Sequence, residues 1–122
     1  MAKHIGLIDR EGVSSLSTLA VPQSEALDPA GWSGVPVEAA GLFCFEVTAE
    51  PGAEEFAMHA VPGAWVGYVV SGGMTLYSGK PTGEKLDEVE LKPGDWLTFD
   101  PDAQHAWKNG PEKTRVLFVK QA

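Results

Sequence analysis

The feature that most restricts this chain is how regularly it is interrupted. Pro51-Gly52, Pro62-Gly63, Ser71-Gly72-Gly73, Pro93-Gly94 and Asn109-Gly110-Pro111 cut its C-terminal two thirds into short pieces. Proline fixes φ and lacks a backbone donor, and glycine supplies φ > 0, so each of these is a turn signal. The pieces between them are rich in β-branched and aromatic residues. Gly41–Thr48, Glu55–Val61, Trp65–Val70, Met74–Tyr77, Leu86–Leu91, Trp96–Phe99, a run beginning at His105, and Thr114–Lys120 all read as strands. The polar Leu86–Leu91 belongs near a sheet edge. No stretch carries a convincing helical period. About eight to ten short strands at this spacing predict an all-β, antiparallel sandwich or barrel.

The N-terminal third is less periodic. Ile5, Leu7 and Val13 mark one or two short strands within residues 1–20. Residues 21–40 hold three prolines and two glycines and read as a long loop or arm over the barrel, pinned by Trp32. The expected organisation is one domain, 1–122, with an arm or strand segment at 1–40 and the barrel core at 41–120.

Gly94 to Asn109 carries most of the functional information. Gly94-Asp95 turns into the strand Trp96–Phe99, Asp100-Pro101-Asp102 breaks it, and a second strand starts at His105. His105 therefore sits just past a rigid corner, with Trp107 and Asn109 on its side of the pleat. This stretch resembles the second motif of the cupins, a glycine followed by a proline, a second glycine, a histidine and an asparagine. Gly94, His105 and Asn109 fall at the motif's spacing, whereas Asp100 and Asp102 stand where its proline and second glycine are expected. The first cupin motif, which carries two histidines and a glutamate between flanking glycines, is present in outline from Gly52 to Gly72. Counting back from Gly72, His59 takes the first histidine's place, Val61 the second's and Trp65 the glutamate's. Counting forward from Gly52, Met58 and Ala60 fall at the histidine positions.

The resemblance implies a small cupin jelly-roll β-barrel whose motif histidines and glutamate converge on a metal. A set of three histidines and one glutamate suits iron, manganese, nickel or zinc. Here His59 and His105 are the candidate metal ligands, since Val61 and Trp65 cannot bind an ion. Glu55 is expected on the face of His59 but about 13 Å along the strand, too far to share an ion with it. Cys44, on the preceding strand, is the first suspect for a third ligand. The expectation is a small-molecule-binding protein with a degraded metal site, holding at most a weakly bound divalent transition metal. His59, Trp65, His105 and Trp107 are expected to line its ligand cavity. The alternatives are a metal-dependent dioxygenase, isomerase or decarboxylase using His59 and His105 with a non-standard third ligand, and a purely structural or regulatory dimer whose barrel is packed shut.

Other classes are disfavoured. Seventeen acidic against nine basic residues give a net charge of −8, opposed to nucleic acid or anionic lipid. No apolar run approaches the ~20 residues of a membrane helix. Cys44 is the single cysteine, so no disulfide framework or multi-cysteine zinc site forms. No G-x-S-x-G, P-loop or dinucleotide fingerprint is present. The expected partners are an unidentified small molecule and a second copy of the chain, in a cytoplasmic homodimer.

Overall fold

A computed structural model describes residues 2–122. Among them lie twelve strands and no helix: β1 (His4–Arg10), β2 (Val13–Leu19), β3 (Glu25–Ala26), β4 (Trp32–Ala39), β5 (Leu42–Ala49), β6 (Phe56–His59), β7 (Trp65–Ser71), β8 (Met74–Gly79), β9 (Lys85–Leu91), β10 (Trp96–Phe99), β11 (His105–Asn109) and β12 (Thr114–Gln121). Every pairing between them is antiparallel. Among the described residues no helix is long and apolar enough to cross a membrane.

Two sheets enclose the core. The larger runs β10-β7-β12-β5-β4-β3 and the smaller β6-β11-β8-β9. Alternation along each strand sends one set of side chains between them. From the larger sheet come Trp32, Val47, Ala49, Val69, Leu97, Val116 and Phe118; from the smaller come Met74, Leu91 and Trp107, all buried. Gly34 and Gly67 stand on the inner face under the rings of Phe45 and Phe118, where a Cβ would collide with the ring. The two glycines thus make room for large aromatics between the sheets. The polar β9 is an edge strand, as its sequence indicates.

Residues 32–39 correct the expected arm. They form an eight-residue strand beside β5, in register from Trp32 opposite Ala49 to Ala39 opposite Leu42. Gly34 and Pro36 obscure this strand in the sequence. Pro36 is tolerated because the outer neighbour, β3, pairs only with Gly34 and Ser33 and leaves the rest of β4 as an edge that needs no donor. The β4–β5 turn, Ala40-Gly41, has φ of 54° and 77°, the doubly positive geometry of a tight hairpin, without an Asn-Gly signal. Trp32 does pin this segment: its indole N–H donates to the carbonyl of Glu54 at 2.7 Å.

β1 and β2 form a hairpin paired only with itself. Leu7, Val13 and Leu16 are each more than two thirds exposed on it.

Candidate functional site

Between the sheets lies a cavity of about 310 Å³. Fourteen residues wall it, and their chemistry is narrow: seven are tryptophan or phenylalanine, five are aliphatic or methionine, and two are His59 and His105. No lysine, arginine or carboxylate is among them.

The smaller sheet positions both histidines. β11 begins immediately after the Asp100–Asp102 corner, where Asp102 has φ 63° and its N–H donates to the carbonyl of Val61. This ties the β10–β11 corner to the chain just beyond β6. His105 then pairs directly opposite His59, and the imidazole centroids are 4.3 Å apart. Phe99 stacks on His105 at 4.7 Å and 20°, Trp107 meets it edge-on at 5.4 Å, and Phe56 packs against His59 at 4.8 Å. His105 is 6% exposed.

The hydrogen bonds fix both tautomers. His59 Nδ1 lies 2.8 Å from the carbonyl of Ala57, and His105 Nδ1 lies 2.9 Å from that of Ala103. A carbonyl only accepts, so each Nδ1 carries the proton and each neutral ring keeps its lone pair on Nε2. Burial holds His105 below the usual imidazole range. The Ala103 carbonyl opposes this and the neighbouring His59 adds to it. A third group stands out: Trp65 Nε1 is closed off from solvent and has no acceptor, an uncommon state for a buried donor.

The structure brings His59, Trp65, His105 and Trp107 to one cavity wall, together with Val61. Glu55 does not share the face of His59. A bulge between β6 and β11 pairs His105 with His59 but Trp107 with Phe56, so residues 56 and 59 both face inward. Glu55 instead pairs with Lys85 on the outside. Cys44 is no third ligand either: Phe45 and Val47 line the cavity, so Cys44 points to the other face of β5. Phe45, Phe56, Phe99 and Phe118 also line the wall, a placement that sequence reasoning missed. Phe99 and Phe118 share the inward parity of Leu97 and Val116, a signal that was available; Phe56 has the wrong parity and only the bulge turns it in.

Two imidazole nitrogens fall short of the three or four protein ligands of a closed transition-metal site. Among the described residues no group of three histidine, cysteine, aspartate or glutamate side chains could hold an ion. The donor set does not fit the usual metal of the resembled family.

Asn109 lies beyond the cavity and holds loops together. Its amide N–H groups donate to the carbonyls of Glu50 and Glu112, each at 2.9 Å, and of Ala49 at 3.2 Å. Its Oδ1 accepts from the Thr114 hydroxyl at 2.7 Å.

A family model described as "Cupin domain" matches residues 45–120. The solved structures that resemble this chain include a variant of oxalate decarboxylase from Bacillus subtilis (TM-score 0.68, 17% identity), with 82% of this chain covering 27% of that one. The polyketide cyclase RemF from Streptomyces resistomycificus has a TM-score of 0.67 at 18% identity, over 82% of this chain and 73% of that one. A Vibrio parahaemolyticus protein of unknown function has a TM-score of 0.64 at 14% identity, over 82% of this chain and 98% of its own. The chain thus spans about a quarter of the decarboxylase. At such identities the likeness carries the fold alone. No curated protein matches the sequence.

Proposed function

The chain belongs to the cupin domain family, and from that premise we propose that it binds a small, largely apolar molecule in the barrel, at a site where the family's metal centre is reduced to two histidines. The observation that carries this reading is the cavity itself. Its volume of about 310 Å³ is at the small end of ligand sites, and its wall is apolar apart from ring nitrogens. A purely structural barrel has no need of such a space, because interiors otherwise pack to crystal-like density.

The metal-dependent dioxygenase, isomerase or decarboxylase reading needs a third ligand. Glu55 and Cys44, the candidates nearest in sequence to His59 and in strand order to the barrel wall, both face away. An ion held by His59 and His105 alone leaves most positions to water and exchanges readily. Metal analysis after dialysis against a chelator is expected to find well under one ion per chain. Ligand binding is tested by titrating naphthalene, a probe of fitting size and no polarity, under ligand-observed NMR. Saturable binding that Trp65→Ala alters supports the reading. No binding, or a stoichiometric chelator-resistant metal, overturns it.

A further inference from the structure

The cavity wall selects for more than size. Five of its fourteen residues carry ring nitrogens. Trp32 spends its N–H on the carbonyl of Glu54. The two histidines spend Nδ1 on Ala57 and Ala103, which leaves two Nε2 lone pairs as acceptors on rings whose centroids are 4.3 Å apart. Trp65 Nε1 is closed over by its neighbours and does not face the cavity space. A ligand that completes this wall brings an O–H for an imidazole. A hydroxyl group supplies it. A carboxylate has no O–H to give and meets no lysine or arginine in the wall, and an unpaired buried charge is expensive. The rest of the surface is flat and aromatic, so rings gain offset and edge contacts there.

Resting on the small-molecule reading above, we propose that the cavity recognises a neutral hydroxyaromatic molecule of one or two rings, a phenol or naphthol, whose hydroxyl donates its proton to Nε2 of His59 or of His105. The volume sets the ring number, the tautomers set the donor, and the lack of lysine or arginine in the lining sets the charge; Lys120 Nζ stands 5.1 Å from the Trp65 ring centroid without lining the cavity.

Three probes on one skeleton separate these claims: naphthalene, 1-naphthol and 1-naphthoate, each titrated near neutral pH by calorimetry or ligand-observed NMR. One added hydrogen bond in a site of this kind corresponds to about tenfold in affinity. The naphthol is therefore expected to bind about tenfold tighter than naphthalene, and the naphthoate weaker than either. His59→Phe and His105→Phe keep a ring at each position. Replacing the accepting imidazole, or both, is expected to close the gap between naphthol and naphthalene. Equal affinity for naphthol and naphthalene overturns the hydroxyl assignment and leaves the apolar cavity reading standing. Tightest binding by naphthoate overturns it too, by showing recognition of an anion. Failure of all three probes overturns the cavity reading, and this assignment with it.

Discussion

Thr114 offers the sharpest test of how the site is held. It is completely buried where β12 begins, and the cavity-lining Val116 follows two residues later. Its hydroxyl accepts from the Gly73 N–H at 2.9 Å and lies 2.7 Å from Asn109 Oδ1 and 3.0 Å from the Gly73 carbonyl. A hydroxyl has one proton, and the shorter contact favours Asn109. Thr114→Val keeps the shape and removes the bonding, so no cavity is added to the cost. It strands the Gly73 N–H and the Asn109 oxygen. A stranded buried polar group costs about 1–3 kcal/mol, so the expected loss for the two is about 2–6 kcal/mol. Domains of this kind have about 5–15 kcal/mol in total. At roughly 4 °C per kcal/mol, the melting temperature falls by about 8–24 °C. Urea unfolding followed by circular dichroism measures the loss directly. Thr114→Ser keeps the hydroxyl and drops one methyl, costing about 1 kcal/mol. A valine variant within about 0.5 kcal/mol of wild type, or a serine variant as damaged as the valine one, refutes the reasoning.

His105 makes stability depend on pH. Its ordinary value is 6.5 and burial lowers it in the folded protein, so below about pH 6.5 the unfolded chain takes a proton that the folded chain resists. The contribution is complete above that pH and declines as pH falls toward the folded value. Urea midpoints at about pH 7.5 and 5.5 should differ, and His105→Phe should reduce the difference. Gly34→Ala drives a methyl into the ring of Phe45, a cavity wall. Overpacking of this kind costs about 1–3 kcal/mol, and displacing Phe45 should also weaken naphthalene binding in an NMR titration. The β1–β2 hairpin, exposed and paired only with itself, falls short of the three strands that usually stand alone. A second copy is expected to cover it in a homodimer. Deleting residues 1–20 should give a monomer by light scattering, and an intact dimer would count against this.

Much of the barrel was legible because its signals are local. Gly94, the alternation of Trp96 to Phe99, and Pro101 define β10, the corner and the start of β11 without reference to the rest of the chain. His105 and Trp65 could be placed on the wall by motif spacing. Two elements were hidden for opposite reasons. In β4, Gly34 and Pro36 contradict strand propensity, and only the position beside the short β3 makes the proline harmless. In β6, the strand itself was visible, but its bulge is a property of the pairing with β11 and cannot be read from residues 55–61 alone. That one extra residue decides that Phe56 lines the cavity and Glu55 does not. Asn109 matched its motif position, but its use as a tie between the β5–β6 turn and the start of β12 is set by residues about 60 positions away.

The placing of the four tryptophans has an optical consequence. Trp32, Trp65 and Trp107 wall the cavity, while Trp96 stands on the outer face, 70% exposed beside Tyr68. Intrinsic emission should therefore divide into a blue-shifted component from three shielded indoles and a red-shifted component from one. Iodide or acrylamide in the solvent should extinguish the second first. Replacing Trp96 by phenylalanine silences it, and the light that remains comes from the cavity wall alone: a chain that reports on its own interior without an added dye.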